Sequence, residues 1–343
     1  MKLEIGTEER FLKFVSESKG KKIALISHTD LDGITSAKIA NEVFNADLLR
    51  FVGYTDLNIE LAEELKSAGV EKIIFTDIYI KDENFVAALE NFAEVLIIDH
   101  HKTNDLNSEK TVLIKGENGY SAGYLCYELF SKIKNLEKFD WLVACSCISD
   151  YCHIKSEKWL NEVMRKYGDS LEHVNGYVRK SGKFWELQKT LSMALIYFKD
   201  NPKKVYDSIG DNFGEIGDLE NFANEVQSEI DKAIVDFEKG KESFEEGWFY
   251  EFDSKFEINS IVSTILAMGE QNKIFVLLSP YKNLYNVSIR RQDKKFDCDK
   301  FVKKLIEGFD SADGGGHVPA AGGHFMKKDL AEFKKRLGIK TFK

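Results

Sequence analysis

The sequence predicts an α/β protein built from two α/β domains that are joined by a helical connector. Three observations support this class. Short runs of Ile, Leu and Val alternate with helix-length segments between residues 23 and 132. Residues 156–245 show apolar side chains at helical spacing instead. Strand-like runs return after residue 246, so the predicted domains are residues 1–155, 156–245 and 246–343.

The first domain is predicted to contain a parallel sheet covered by helices. Its apolar runs suit strands buried on both faces, and the predicted strands are 23–27, 48–52, 73–75, 95–98 and 111–114. Helical segments alternate with these strands and follow the last one: 34–44, 59–68, 83–92 and 122–132. In such sheets ligands bind beyond the carboxyl ends of the strands.

The connector and the last domain follow from similar patterns. The connector carries an apolar stripe that indicates packing, made of Leu219, Phe222, Val226, Ile230, Ile234 and Phe237. The last domain has predicted strands at 248–252, 274–279 and 285–289, and helices at 258–269 and 298–308. A glycine-rich segment, residues 314–324, precedes a final helix.

Composition limits the function classes. No stretch approaches ~18 uncharged apolar residues, so no membrane span is expected. The first eleven residues are charged and lack an apolar run, so we expect no signal peptide. Five cysteines without a framework of spacings indicate a reduced, cytoplasmic protein. Cys145, Cys147 and Cys152 lie close in sequence with His153, but a zinc site needs further ligands, so buried thiols are the favoured interpretation.

The charge is unevenly distributed. The chain has a net charge of −9, which argues against a protein that follows long nucleic acids by electrostatics alone. Residues 281–343 nevertheless hold 15 Lys and Arg against 8 Asp and Glu. An acidic body suits a metal site and a basic final domain suits an anionic substrate, although a solvated lysine-rich surface would look the same.

The first chemical motif is His28-Thr29-Asp30-Leu31-Asp32-Gly33, directly after a predicted strand. Three potential ligands at alternate positions lie close together in an extended or turning chain, and Gly33 permits a turn into the next helix. A calcium-binding EF-hand loop begins similarly. Its twelfth position would be Ile39 rather than Glu, and a strand rather than a helix precedes it, so calcium is disfavoured.

Three further groups follow predicted strand or helix ends: Asp77, then Asp99-His100-His101, then Asp150. A single Asp at such a place is commonly a helix cap or turn residue. Four placements in one half of the chain, with three histidines among them, predict a metal site at the sheet edge.

This ordered set resembles the four motifs of DHH phosphoesterases. Gly314-Gly315-Gly316-His317, with Ala320-Ala321-Gly322 after it, resembles the DHHA1 domain that accompanies them in nanoRNases, RecJ-type exonucleases and cyclic-dinucleotide phosphodiesterases. The resemblance covers both ends of the chain and omits the connector. It implies an active site in a cleft between the two α/β domains.

The resemblance also implies the role of each metal ligand. One ion would be held by His28, Asp30 and Asp77. The second would share Asp77 and add the remaining ligands, which are Asp32, His100 and Asp150. Carboxylates with imidazoles favour two Mn²⁺ ions, with Mg²⁺ or Co²⁺ as substitutes.

His101 and Asp99 are the remaining catalytic candidates. His101 would contact the scissile phosphate or protonate the leaving oxygen. Its alternative role is to orient neighbouring ligands, and Asp99 would act in the same way.

The last domain would hold the substrate. Gly314, Gly315 and Gly316 would let the backbone approach a phosphate, and His317 would add a donor. Arg290 or Arg291 matches the arginine with which DHHA1 proteins grip substrate, and His324 could join the same wall. The alternatives are a flexible glycine loop and solvated arginines.

The implied activity is hydrolysis of short single-stranded RNA or DNA to mononucleotides, because the chain has little beyond the two family domains. A RecJ-like exonuclease, or a hydrolase of cyclic di-AMP or 3′-phosphoadenosine 5′-phosphate, is the alternative. An inactive nucleic-acid-binding scaffold would have lost ligands that this chain retains. Pyrophosphatase relatives carry a different C-terminal domain. The oligomeric state is open, with a homodimer as one candidate.

Overall fold

The computed structural model describes residues 1–174 and 177–339. The chain divides into two compact units, Met1–Ala223 and Asn224–Lys343, and each unit has its own six-stranded sheet. This confirms the predicted α/β class. The helices between residues 157 and 208 belong to the first unit. The division into three functional segments and the cleft remain predictions.

The first unit consists of short strands and helices in near alternation, with two additional helices after a small hairpin. In chain order they are β1 (Leu3–Ile5), α1 (Glu8–Ser16), β2 (Ile23–Ser27), α2 (Leu31–Phe44), β3 (Leu48–Phe51), α3 (Ile59–Ser67), β4 (Lys72–Thr76), α4 (Glu83–Glu90), β5 (Glu94–Asp99), β6 (Thr111–Gly116), α5 (Ala122–Phe130), α6 (Asp140–Ser149), α7 (Glu157–Lys166), β7 (His173–Val174), β8 (Tyr177–Val178), α8 (Lys183–Tyr197) and α9 (Lys203–Ser208).

The strand order of the first sheet is β1-β6-β5-β4-β2-β3. Strands β2 to β6 are parallel, and β1 adds an antiparallel edge beside β6. The chain moves from β2 to β3 on one side and then returns to place β4 on the other side of β2. The connection after β2 leads to one side of the sheet and the connection after β4 leads to the other side. Such a change of direction opens a crevice at the carboxyl ends of these two strands.

Two apolar layers cover this sheet. Ile23 and Leu25 of β2 face a cluster that includes residues of α1, α2, α5 and α6, whereas Ala24 and Ile26 face α3 and α4. All five β2 residues are buried. Full burial of each Ile or Leu contributes about 1.5–3 kcal/mol, so both layers hold the strand. The run in β2 is continuously apolar because both faces of the strand are buried, as the sequence predicted.

The helix α10 (Leu219–Gly240) crosses the boundary between the units. The second unit then continues with β9 (Glu242–Phe244), β10 (Gly247–Glu251), α11 (Asn259–Gly269), β11 (Ile274–Tyr281), β12 (Leu284–Arg290), α12 (Cys298–Ile306), β13 (Asp313–His317), β14 (Ala320–Met326) and α13 (Leu330–Arg336). Its sheet order is β13-β14-β12-β11-β10-β9, and only β10 and β11 pair in parallel.

The glycine-rich segment forms the β13–β14 hairpin at the edge of this sheet. Gly314 and Gly316 are needed for close packing rather than for a left-handed turn. A Cβ on Gly314 would lie 3.1–3.2 Å from the side chains of Ile306 and Val302, and one on Gly316 would lie 2.3 Å from the Ala320 carbonyl oxygen. Among the residues described, no helix is long and apolar enough to cross a membrane.

Candidate metal centre

The first motif forms the junction between β2 and α2. Asp30 caps the helix, and its carboxylate accepts a hydrogen bond of 2.9 Å from the Gly33 N–H. The helix therefore begins at Leu31, three residues before the predicted start. Gly33 lies inside the helix, contrary to its predicted role at a turn. A Cβ there would lie 2.3 Å from the His28 carbonyl oxygen, so close approach is the reason for glycine.

Asp32, in the first turn of α2, is fully buried. Its two carboxylate oxygens accept hydrogen bonds from the N–H groups of Ala122 (2.6 Å) and Gly123 (2.8 Å), at the start of α5. The Ser146 hydroxyl of α6 donates a third hydrogen bond. These three donors from α5 and α6 therefore hold the Asp32 carboxylate in one orientation.

The first ligand group contains His28, Asp30 and Asp77, whose ligand atoms all lie within 4.8 Å of one another. His28 Nδ1 is 2.9 Å from Asp30 Oδ2 and 3.9 Å from Asp77 Oδ2. Asp77 follows β4 with a φ of 56°, a conformation that is uncommon outside glycine. Its N–H donates to the Ile98 carbonyl oxygen at 3.0 Å, which helps to hold this backbone in place.

The second group surrounds His100, which follows β5. Its Nε2 atom is 3.3 Å from Asp77 Oδ1, 3.5 Å from Asp150 Oδ2 and 3.7 Å from Asp32 Oδ2. Asp77 thus presents one oxygen towards His28 and the other towards His100. This is the position that a bridging carboxylate would need.

Burial leaves several of these atoms without hydrogen bonds. Both Asp77 oxygens and His100 Nε2 have no hydrogen-bond partner within the described part of the chain. An unsatisfied buried polar atom costs about 1–3 kcal/mol, and more when it is charged. Such costs are typical of a site that is completed by a ligand.

The acidic groups also repel one another. Burial, followed by the charges of Asp32, Asp30 and Asp150, raises the pKa of Asp77 well above its ordinary value. Burial, followed by Asp32 and Asp30, raises the pKa of Asp150 to about 9. Burial acts in the same direction on Asp30, but contacts with His28 and the Gly33 N–H hold its pKa at about 2. A divalent cation would relieve this repulsion, so the donor set fits the ions that the motifs predict.

Asp99 and His101 form a separate pair beside these ligands. Asp99 ends β5 and accepts the His100 N–H at 2.8 Å, and its Oδ1 lies 2.8 Å from His101 Nδ1. Burial acts to lower the pKa of His101, but the Asp99 carboxylate outweighs it and raises the pKa. The pair therefore fixes the ring and favours a protonated imidazole.

Tyr54 is a site residue that sequence reasoning missed. It lies in a 3₁₀ turn after β3, with its ring centroid 5.3 Å from His28 and 6.4 Å from His101. Its side chain is 47% exposed, so it borders the site on the solvent side. Burial and the neighbouring carboxylates raise the pKa of Tyr54, which keeps the phenol neutral. A lone tyrosine after a strand gave no signal in the sequence.

The three neighbouring cysteines do not form one site. All are buried, and Cys147 Sγ is within hydrogen-bond distance of the Ser121 and Ser156 hydroxyls. Among the described residues, Cys145 and Cys147 join no cluster of metal-ligand side chains, which agrees with the buried-thiol interpretation. Cys152 differs, because its thiol lies near His100 and Asp150.

The structure distinguishes the two arginines of the second unit. Arg291 forms a two-point ion pair with Asp293, at 2.9 and 3.0 Å, and a further pair with Glu246. Arg290 donates only to uncharged oxygens, including the Ser260 hydroxyl at 2.7 Å and the Ala321 carbonyl at 3.0 Å. Within the described ranges no carboxylate pairs with Arg290, and burial lowers its pKa. Arg290 is therefore the better candidate for an anion.

Strand pairing places His317 near Arg290. Ala320 pairs with both residues, one on each side, so the three lie in one row across β12, β14 and β13. Gly315 and Gly322 pair with each other two residues along these strands, on the same face of the sheet. A Cβ on either would meet a single atom within 4 Å, at 3.5 Å, so this part of the hairpin is open. His324 lies two residues beyond Gly322 and pairs with Asp313.

Comparison with known families supports the resemblance that the motifs carry for part of the chain. Residues 22–148 match the model of the DHH family, N-terminal domain. This stretch is therefore a DHH domain, as the resemblance predicted, and Asp150 lies just beyond it. No match was found among curated protein sequences.

Solved structures share the fold at low sequence identity. RecJ of Thermus thermophilus, in complex with Mn²⁺, is 14% identical with a TM-score of 0.67; the match covers 96% of this chain and 54% of RecJ. CDC45 of Entamoeba histolytica is 10% identical with a TM-score of 0.60, covering 96% and 97%. The pGpG-specific phosphodiesterase PggH of Vibrio cholerae is 13% identical with a TM-score of 0.51, covering 92% and 97%. The chain thus spans about half the length of that RecJ.

Proposed function

We propose that this protein is a two-metal phosphodiesterase that hydrolyses short oligonucleotides to mononucleotides. The observation that carries the proposal is the convergence of two His-carboxylate groups on Asp77, whose buried oxygens lack hydrogen bonds among the described residues. His28, Asp30 and Asp77 would hold one ion. Asp77 and His100 would hold the second, together with Asp32 and Asp150. Mn²⁺ suits this set of oxygen and imidazole ligands, and Mg²⁺ or Co²⁺ could replace it.

Two bound cations would lower the pKa of an attacking water and neutralise charge on the phosphoryl group. The side chains of this chain supply the remaining functions. Asp99 holds His101 through Nδ1, so Nε2 is left to face the substrate. A protonated His101 can donate from Nε2 to the leaving oxygen. Tyr54, at the exposed border, offers an aromatic face for a nucleobase and a neutral hydroxyl for a phosphate oxygen.

The second unit would recognise the substrate through its hairpin, as expected of a DHHA1 domain. Among the described residues no carboxylate pairs with Arg290, so its guanidinium can bind a terminal phosphate. Gly315 and Gly322 leave room beside it, and His317 shares its row. This arrangement supports phosphate binding on an open strand surface rather than in a flexible glycine loop.

Similarity in fold to PggH, a pGpG-specific phosphodiesterase, supports a short substrate, whereas similarity in fold to RecJ exonuclease, one structure of which is covered to 93%, supports a longer one. A RecJ-like exonuclease remains the alternative, together with a hydrolase of cyclic di-AMP or 3′-phosphoadenosine 5′-phosphate. A scaffold without activity is disfavoured, because both ligand groups are complete.

The test compares Mn²⁺-dependent hydrolysis of a 5′-labelled RNA dinucleotide, a long RNA strand and cyclic di-AMP. The wild-type protein should release mononucleotide fastest from the dinucleotide. Asp77→Asn should abolish the activity, because it removes the shared carboxylate charge. Asp293→Asn, which weakens the ion pair of Arg291 and leaves the metal ligands unchanged, serves as the matched control and should retain activity.

Each other outcome has a defined meaning. Preference for the long strand would indicate an exonuclease, and preference for the cyclic substrate would indicate a signalling phosphodiesterase. Hydrolysis that persists in Asp77→Asn would contradict the proposed site. Failure to bind two divalent ions per chain would contradict the two-metal mechanism.

A further inference from the structure

Cys152 lies beside the second ligand group. Its Sγ atom, a His100 ring nitrogen and an Asp150 carboxylate oxygen all lie within 4.8 Å of one another. Ligand atoms bound at about 2.0–2.3 Å to one ion lie about 3–4 Å apart, so a small adjustment would bring these three around one ion. The motifs that identify the metal centre do not include this thiol.

The backbone fixes the position of this thiol. Helix α6 ends in a Schellman arrangement, in which the Cys152 N–H donates to the Cys147 carbonyl (2.9 Å) and the Tyr151 N–H donates to that of Ile148 (3.3 Å). Tyr151 takes the left-handed position with a φ of 55°. This conformation is unfavourable for a tyrosine, so its presence beside Asp150 marks a constrained backbone. The turn holds Asp150 and Cys152 next to the same site.

A second observation indicates that a ligand belongs here. Asp77 is 1% exposed, and its carboxylate oxygens have no hydrogen-bond partner within the described residues. Asp77 Oδ1 points at His100 Nε2, 3.3 Å away, and Asp150 Oδ2 approaches the same nitrogen at 3.5 Å. Among the described residues, the hydrogen-bond partner of the Cys152 thiol is the Asp150 carbonyl oxygen, at 3.4 Å. The thiol therefore lies next to buried atoms of Asp77 and His100 that lack hydrogen-bond partners among the described residues and that can bind a cation.

We propose that Cys152 Sγ, as a thiolate, is an additional ligand of the divalent cation held by His100 and Asp150. This inference rests on the proposed metal centre. Binding forms one sulfur–metal bond, and the thiol proton leaves to solvent without any change in oxidation state. A thiolate is softer than a carboxylate or an imidazole. The thiolate should therefore increase the preference of the second site for Zn²⁺ or Co²⁺ over Mn²⁺, compared with a site made of the other ligands alone.

The test is Co²⁺ titration of the metal-free full chain, followed by absorption spectroscopy. Wild-type protein should show a near-ultraviolet sulfur-to-cobalt charge-transfer band as well as visible d–d bands. Cys152→Ser should lose the charge-transfer band and keep the d–d bands. Cys147→Ser is the matched control, since a hydroxyl there can keep the contacts with Ser121 and Ser156, and it should retain both.

A second measurement needs no variant. X-ray absorption of the wild-type protein loaded with Zn²⁺ should show a sulfur shell at about 2.3 Å. The ratio of Zn²⁺ to Mn²⁺ affinity should also fall at least about tenfold in Cys152→Ser.

The outcomes separate the two proposals. Bound Co²⁺ with d–d bands but no charge-transfer band in the wild type, or Zn²⁺ without a sulfur shell, would overturn the thiolate ligand and leave the metal centre intact. A charge-transfer band that survives Cys152→Ser would overturn it as well. Absence of Co²⁺ binding would overturn both proposals.

Discussion

Replacing Ser146 with alanine tests how much the buried hydrogen bonds to Asp32 contribute to the free energy of unfolding and to metal affinity. The Ser146 hydroxyl is fully buried and donates to Asp32 Oδ1. A hydrogen bond to a charged group contributes about 1.5–3 kcal/mol. The backbone donors from Ala122 and Gly123 remain in Ser146→Ala, so the loss should stay within this range.

The expected loss is large enough to measure. For a unit of the size of Met1–Ala223, each kcal/mol shifts the melting temperature by roughly 2–4 °C, which gives a decrease of about 3–12 °C. Circular dichroism melts in a chelating buffer would measure this decrease without bound metal. Ser228→Ala is the control, because that exposed hydroxyl donates to the Asn224 carbonyl of its own helix, and it should change the melting temperature little.

Metal affinity provides an independent measure of the same network. Loss of a residue that orients a ligand typically weakens metal binding by about 10–100-fold. Isothermal titration of metal-free Ser146→Ala with Mn²⁺ should show a decrease of this size. If the free energy of unfolding falls by less than about 0.5 kcal/mol and Mn²⁺ binds as in the wild type, Ser146 does not hold Asp32 and the reasoning is wrong.

Three further predictions concern the acids, the arginines and the glycines. In metal-free protein the pKa of Asp150 is about 9 in the folded state, whereas in the unfolded state it returns to the ordinary value of an Asp carboxyl. The free energy of unfolding should therefore fall as pH rises from about 4 to about 9. Urea titrations of Asp150→Asn should show a weaker fall. Arg290→Ala should raise the KM for a 5′-phosphorylated dinucleotide by about tenfold or more, whereas Arg291→Ala should leave KM nearly unchanged; equal KM values would refute the assignment. Gly322→Ala should fold normally and bind the dinucleotide less tightly, whereas a Cβ on Gly323 would lie 2.7 Å from a carbonyl oxygen, so Gly323→Ala should lower the melting temperature; the reverse order would contradict the open surface.

Much of the candidate metal centre could be predicted from the sequence because its signals are local. Apolar runs predicted the strands, and the positions directly after them pointed to His28, Asp77 and His100 as candidate ligands. A parallel sheet brings the carboxyl ends of its strands to one edge, so order along the chain was enough to predict proximity. The start of α2 was predicted three residues late, because the capping role of Asp30 was not recognised.

Other features depended on contacts between distant parts of the chain. Asp32 receives its hydrogen bonds from residues 90 to 114 positions away, and no local pattern could show them. Arg290 and Arg291 are adjacent in sequence, yet only Arg291 meets Asp293 and Glu246. Tyr54 gave no signal, because its importance comes from its distance to His28.

The sequence by itself determined the fold class, the DHH motifs and the order of the candidate ligands, since periodicity and strand-end placement are properties of neighbouring residues. The tertiary structure decided which arginine pairs with Asp293 and Glu246, which glycines leave an open surface and which pack against α12, and that Cys152 lies beside His100. These features depend on the distance and burial of side chains from separate elements. Such quantities exist only after the chain has folded, because packing between layers sets them.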